Sequence, residues 1–285
     1  MKISEKFNTG RAVLSFEVFP PKKNMPVDSI YKTIDELAKL TPDFISVTYG
    51  SGGSNPGITC EVASKIINDY KIDALAHITC INSTRTHIDA VLDEFRAGGI
   101  ENVLALRGDI VPDIEPKNDF RYASELTSFI KNKGGFDVSG ACYPEVHMDA
   151  ENEIADILNL RKKVEAGAGH LITQLFFDND AFYRFRERAM IAGINVPISA
   201  GIMPVANKKS IEHMVAVCGA SLPPKFVKIM QKYGDDPEVL REAGIAYAVE
   251  QIVDLLANNV DGIHIYTMNN PYIARRIHEA VSNLL

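Results

Sequence analysis

Eight short apolar runs of strand-like composition alternate with stretches of helical period along the whole chain, and this alternation restricts the fold more than any other feature. The runs are AVLSFEVF (12–19), FISVTYG (44–50), ALAHITC (74–80), NVLALRGD (102–109), DVSGACY (137–143), HLITQLFF (170–177), PISAGIMPV (197–205) and GIHIYTM (262–268). Between them lie amphipathic segments such as SIYKTIDELAKL, THIDAVLDEFRAG, EIADILNLRKKVEAG and SIEHMVAV, and PYIARRIHEAVSNLL closes the chain. Apolar strands buried on both faces and joined by helical crossovers form a parallel sheet, and eight units in slightly over ~250 residues predict closure. The expected fold is α/β: a (β/α)8 TIM barrel forming a single domain over residues 1–285, with extra helices inserted between strands 7 and 8 in segment 221–259. An open doubly wound sheet is the alternative, but no strand is followed by GxGxxG, and Gly50-Ser51-Gly52-Gly53 has the wrong spacing.

Composition narrows the function. At 46% hydrophobic and 24% charged, the 285 residues can fill a full core. Thirty Lys plus Arg against thirty-seven Asp plus Glu leave a net charge of −7, so no basic footprint for nucleic acid is expected. The longest apolar runs fall short of the ~20 residues that span a bilayer, and the N-terminus lacks a signal-type apolar stretch. A cytoplasmic, non-membrane protein is therefore expected. Cys60, Cys80, Cys142 and Cys218 are far apart and make no CxxC pair, which points to free thiols and to no metal centre.

In a barrel of this kind, catalytic groups stand at the C-terminal ends of strands and in the loops that follow. That rule selects Glu17, Thr48, Tyr49, His77, Thr79, Arg107, Asp109, Tyr143, His147, Gln174, Pro204 and Tyr266. Glu17 sits among aromatics before a double proline, and burial there is expected to raise its pKa into the range of a general acid. An ion pair with Arg107 is the competing reading. Arg107-Gly108-Asp109 offers a donor fork, a close-approach glycine and an acceptor, as a binding loop or as an ion pair capping the barrel. On the fifth of these helices Asp156, Asn159 and Lys163 share one face, with Lys162 beside it. Such a stripe can hold a diphosphate and ribose, or be ordinary solvated surface.

The segments FEVFPPK, FISVTYGSGGS, HITC, LALRGD, ACYPEVH, NLRKKVEAGA, ITQLFFD and GIMPV occur in order at barrel-strand spacing. With them the chain resembles the methylenetetrahydrofolate reductase family from Ser15 to about Tyr266. The resemblance implies an FAD flavoprotein of one-carbon metabolism and methionine biosynthesis. NADH or NADPH is the implied co-substrate and 5,10-methylenetetrahydrofolate the substrate, reduced to 5-methyltetrahydrofolate by ping-pong kinetics. It implies that Glu17 is the general acid, that Asp109 lies beside flavin and pterin, and that Gln174 contacts folate. It assigns FAD to Tyr49, Ser51, His77, Arg107, Gly108, Asp109, Tyr122, Ala123, Tyr143, His147, Asp156, Asn159, Lys162 and Lys163, with Thr48 nearer the nicotinamide. Tyr266, Met214 and Asn270 complete the implied substrate site.

Departures from the family pattern shape the remaining expectations. Lys162 stands where relatives carry arginine, which keeps the cation but loses the bidentate fork. The segment SNPGITCEV after Gly53 differs from the charged run of relatives, so nicotinamide preference stays open, and a partner electron-transfer protein is the alternative donor. Met214 replaces a phenylalanine, Ser210 an amide and Asn270 an arginine near the folate tail, for which Lys208 or Lys209 could substitute. Ending at Leu285, the chain is expected to lack feedback by S-adenosylmethionine. An apolar helix face in segment 221–259 is expected to support a homo-oligomer.

Overall fold

The computed structural model describes residues 1–21, 26–49, 56–110 and 115–285. Eight strands close into a parallel barrel in chain order: β1 (Val13–Val18), β2 (Phe44–Val47), β3 (Asp73–Thr79), β4 (Asn102–Leu106), β5 (Asp137–Cys142), β6 (His170–Thr173), β7 (Ile198–Ile202) and β8 (Gly262–Tyr266). The described helices are α1 (Ile3–Lys6), α2 (Asp28–Ala38), α3 (Pro56–Tyr70), α4 (Arg85–Ala97), α5 (Ala123–Lys133), α6 (Glu153–Glu165), α7 (Asn179–Ile191), α8 (Lys208–Cys218), α9 (Pro224–Tyr233), α10 (Pro237–Ala257) and α11 (Pro271–Val281). The closed barrel agrees with the expectation and excludes the open sheet.

The strands obey the two-residue period of a pleated sheet. Leu14, Phe16 and Val18 of β1 join Ile45, Val47, Ala76, Ile78, Ile263 and Ile265 in the large cluster that the helices cover. Val13, Phe44, Leu75, Leu104 and Ile172 form a separate apolar cluster with Ile3 of α1. The backbone N–H of Ile3 donates to Asn102 Oδ1 at 2.9 Å, and that of Ser4 to Asp137 Oδ2 at 2.9 Å, fixing α1 against β4 and β5.

The remaining interior is polar: Ser15, Ser46, Ser139, His170, Ser199 and His264 are buried there. His170 Nδ1 meets Ser139 Oγ at 3.0 Å and its Nε2 meets Ser199 Oγ at 2.9 Å, so both ring nitrogens are satisfied without charge.

Two expectations are corrected. The apolar runs overshoot the strands: β6 ends at Thr173, and Leu175 and Phe177 instead enter a second apolar cluster with Met203, Val205, Ile211, Phe226, Met230 and Leu240. The long helix of segment 221–259 is part of the barrel wall rather than an external addition. Ile245, Ala248, Ile252 and Leu255 of α10 belong to the core that coats the strands, and α10 packs on α11 and α7. The extra helices are α8 and α9, whose buried Ile211, Phe226 and Met230 lie in the second cluster. Because these helices bury their apolar sides within the chain, segment 221–259 leaves only Tyr233, Val239 and Val253 as exposed large apolar side chains.

Burial pushes the His170 imidazole down to about 3 and that of His77 down to about 4, so both are neutral in the folded protein at neutral pH. A folded-state pKa below the unfolded value of about 6.5 means that the unfolded chain takes up more protons as pH falls. The stability each histidine contributes is complete above about pH 6.5 and is lost on acidification, at about 1.4 kcal/mol per pH unit. Urea unfolding followed from pH 7.5 to pH 5 should therefore show a falling midpoint, before most carboxylates titrate. The fall should become shallower in a His170→Gln variant, and an equal pH slope in both proteins would show that His170 is not buried neutral.

Candidate active site

At the C-terminal mouth of the barrel, Glu17 of β1 lies between Ser46 of β2 and Tyr266 of β8 in the strand register. Its side chain is only 18% exposed. Oε2 faces Ser46 Oγ at 3.4 Å, His264 Nε2 at 3.5 Å and His77 Nε2 at 3.5 Å. The chain around it is clamped from β8: Thr267 Oγ1 donates to Glu17 O at 2.6 Å, and Asn269 pairs with the backbone of Phe19 through Nδ2 at 2.8 Å and Oδ1 at 3.0 Å. Neither Thr267 nor Asn269 was selected from the sequence. Both act across the β1–β8 seam, which no local pattern reveals.

The electrostatics of Glu17 differ from the sequence expectation. Burial does push the carboxyl upward, but hydrogen bonding with His264, attraction to His77 and His264 and hydrogen bonding from Ser46 outweigh it. The pKa lies below the ordinary glutamate value, not above it. The Arg107 ion pair considered as an alternative does not form, because Arg107 Nη2 instead holds Asp149 Oδ2 at 2.6 Å.

A second group of residues gathers after β4 and β5. Gly108 takes φ +83°, with its missing Cβ position 2.9 Å from Thr79 Cβ, so only glycine lets this turn lie against β3. Asp109 follows it at the surface, and its carbonyl accepts from Asn82 Nδ2 at 3.3 Å. The ring of Tyr143 stands edge-on to His147 at 4.5 Å. Burial, with nearby acidic groups adding to it, pushes the Tyr143 hydroxyl up to about 12. Between these two rings Val146 holds φ +74°, a strained conformation for a β-branched residue. The turn it makes directs the backbone N–H of His147 to Asp156 Oδ2 at 3.2 Å, while His147 Nδ1 accepts from the backbone of Asp149 at 3.0 Å. Nε2 is thereby left as the nitrogen that carries the proton of the neutral ring, and burial lowers the His147 pKa.

The stripe on α6 divides. Lys163 turns inward, its stem passing Gly140, where a Cβ would lie 2.7 Å from Lys163 Cδ, and its Nζ donates to Ala141 O at 2.5 Å. Desolvation lowers its pKa. No carboxylate lies within ion-pair distance of Lys163 among the described residues. Asn159 and Lys162 are exposed and pair with each other at 3.1 Å. Tyr122 and Ala123 begin α5, and the Glu125 carboxylate accepts from the backbone N–H of Arg121 at 2.6 Å. Tyr49 faces His87 Nε2 at 3.2 Å, and Thr48 O accepts from Thr59 Oγ1 at 2.9 Å. Ser51 lies outside the described residues.

On the neighbouring end of β6, the Gln174 N–H donates to Cys142 O at 2.7 Å and its Oε1 accepts from the backbone of Leu175 at 2.8 Å, and the Tyr266 hydroxyl donates to Thr173 O at 2.6 Å. Met214 and Tyr266 both pack on the second apolar cluster. Asn270 caps α11, accepting from Ile273 N at 3.4 Å, a structural task that its position before Pro271 accounts for. Among the described residues no group of three His, Cys, Asp or Glu could hold a metal ion, and no helix is long and apolar enough to cross a membrane.

The arrangement is thus a half-buried carboxyl on the inner wall, an apolar flank on one side of the mouth and cations, phenol and imidazole on the other. A family model described as methylenetetrahydrofolate reductase matches residues 2–282 of this chain. A 5,10-methylenetetrahydrofolate reductase from Pectobacterium carotovorum subsp. carotovorum is 35% identical over 268 residues, covering 94% of this chain and 89% of that protein. The enzyme of that name from Escherichia coli (strain K12) is 35% identical over 260 residues, covering 91% and 87%. Among solved structures, a Clostridium thermocellum protein described as binding two copies of 5-methyl-5,6,7,8-tetrahydrofolic acid superposes with a TM-score of 0.69 at 16% identity, covering 99% of each chain, a likeness of fold alone. With a family match over almost its full length and relatives at this identity, the chain belongs to the methylenetetrahydrofolate reductase family of oxidoreductases.

Proposed function

We propose that this protein reduces 5,10-methylenetetrahydrofolate to 5-methyltetrahydrofolate, with FAD along the barrel mouth and NADH or NADPH as donor. The observation that carries this reading is the carboxyl of Glu17 on the inner wall of the mouth, in a chain of this family, opposite a rim of cations and ring donors.

The residues present fit FAD. Lys163 has a buried stem and an ammonium whose hydrogen-bond partner is a carbonyl, and the buried Asn82 Oδ1 beside the Gly108 turn has no hydrogen-bond partner among the described residues. Arg107, Lys162 and Lys163 supply the positive charge that a diphosphate needs, while Asp156 and Asn159 supply acceptors for ribose hydroxyls. Tyr49, His77, Tyr143 and His147 would border the ring system. Bound there, FAD would supply the hydride relay between nicotinamide and folate, which makes the kinetics ping-pong.

The protein's own groups then handle the proton and the substrate. Glu17 donates the proton that opens the imidazolidine ring of the folate to its 5-iminium cation. Since the free protein holds Glu17 below the ordinary glutamate pKa, the carboxyl must gain its proton as folate covers it and excludes water. Asp109 favours the iminium charge and accepts from the pterin, Gln174 offers its amide, and Met214 and Tyr266 form the apolar flank.

Glu17→Gln should retain FAD and nicotinamide oxidation by a quinone acceptor while folate reduction falls by roughly 10²-fold or more, the usual weight of a positioned acid. Normal folate reduction by this variant would remove Glu17 from the mechanism. Asp109→Asn should weaken folate turnover more than FAD binding, measured as kcat/KM against flavin retention; equal losses would mark Asp109 as structural. Anaerobic stopped-flow absorbance tests the whole reading: NADH or NADPH should bleach the flavin band and methylenetetrahydrofolate should restore it. Bleaching by dithionite alone, followed by reoxidation with the folate, would instead indicate a protein electron donor.

A further inference from the structure

Two buried histidines inside the barrel are built alike and end differently. His170 has a serine at each ring nitrogen. His264, fully buried on β8, has Ser15 Oγ at 2.8 Å from Nδ1, but its Nε2 faces Glu17 Oε2 at 3.5 Å with Ser46 Oγ at 3.5 Å beside it. The Ser15 hydroxyl carries one proton and has two acceptors, His264 Nδ1 at 2.8 Å and Ile263 O at 3.4 Å. The Glu17 carboxylate facing Nε2 can only accept, which places the ring N–H there and gives the Ser15 proton to Nδ1. Nδ1 is then an acceptor, and the proton of the ring resides on Nε2, directed at the carboxylate.

We propose that Ser15 and His264 form the positioning pair of Glu17: Ser15 fixes the Nε2–H tautomer of His264, and His264 aims the carboxyl and favours its ionised form until substrate covers it. The inference rests on the reading of Glu17 as the proton donor. Ser15, although part of a serine–histidine–carboxyl series, is fully buried and has no access to a substrate, so nucleophilic chemistry is not its task.

The other groups facing Glu17 do not fill this role at neutral pH. His77 of β3 is held down to about 4 by burial, so its charge reaches Glu17 only in acid, and its Nε2 has no hydrogen-bond partner among the described residues. Tyr266 of β8 is pushed well above the ordinary phenol pKa by burial and stays uncharged. Ser46 of β2 donates at 3.4 Å, but its hydrogen bond lowers the proton affinity of the carboxyl less than that of His264 does. His264 is left as the group whose removal frees burial to raise the carboxyl.

The test titrates the Glu17 carboxyl directly, by isotope-edited infrared difference spectroscopy of the FAD-loaded protein without folate. Alongside it, the pH profile of flavin reoxidation by methylenetetrahydrofolate is followed in single turnovers. In His264→Leu the carboxyl band should titrate about one pH unit or more higher, a tenfold change in proton affinity, and the reoxidation profile should move the same way. Ser15→Ala should shift both in the same direction by less, and Ser15→Thr, which keeps the hydroxyl, should return them to the parent values. If His264→Leu does not fold, Ser15→Ala and Ser15→Thr decide. Unshifted titration in a folded variant, with Glu17→Gln still deficient in folate reduction, overturns the positioning pair alone. Normal folate reduction by Glu17→Gln overturns the reading of Glu17 and with it the pair's role in catalysis.

Discussion

A closed eight-stranded sheet has an inside that must be filled, and the way this one is filled governs both its stability and its chemistry. Outward positions meet helices and are largely apolar. Inward positions are shared between one apolar cluster, sealed by Ile3 of α1, and a set of serines and histidines. Polar groups taken out of water are costly unless partnered, so the serines and histidines bond to one another across strands. Ser15 with His264, and Ser139 and Ser199 with His170, are solutions to that demand. Glu17 is the position at which an ionisable group joins the series, where the wall meets the mouth.

From that position the rest of the site is arranged by backbone rather than by long side chains. The Gly108 turn, the Val146 strain and the Asn269 clamp each place a loop within hydrogen-bond reach of its neighbour. Rigid strand ends hold Glu17, Arg107 and Tyr266, while the apolar flank is supplied by the inserted α8 and α9, which pack on the mouth instead of on the wall. The division gives one barrel mouth both charged groups and an apolar flank.

Much of this was legible in the sequence because it is local. Strand count, helix alternation and the placement of Glu17 follow from periodicity over a few residues, and the motifs after β4 and β5 stand together as expected. What was not legible is long-range. The direction of the Glu17 pKa depends on His264, 247 residues away, and the clamp on Phe19 comes from Asn269, 250 residues away. Strand ends were overestimated at Leu175 and Phe177 because the loop after β6 is apolar for a separate reason, the cluster under α8 and α9. The wall position of α10 was hidden likewise, since its exposed side also carries apolar Val239, Ala246 and Val253, which blurs the helical-face signal.

The low pKa of Glu17 in the free protein bears on how a barrel mouth can hold an acid at all. A carboxyl that stayed protonated by burial alone would have to be surrounded by apolar groups, leaving no hydrogen bonds to orient it. Here Ser46, His77 and His264 surround it instead, so orientation is gained at the expense of proton affinity. Covering such a carboxyl with a flat ligand removes water but leaves the three contacts in place, so burial can raise its proton affinity without freeing the side chain to rotate. On the proposed reading of Glu17, a carboxyl built in this way takes up its proton when the substrate arrives, with the geometry that delivers it already set.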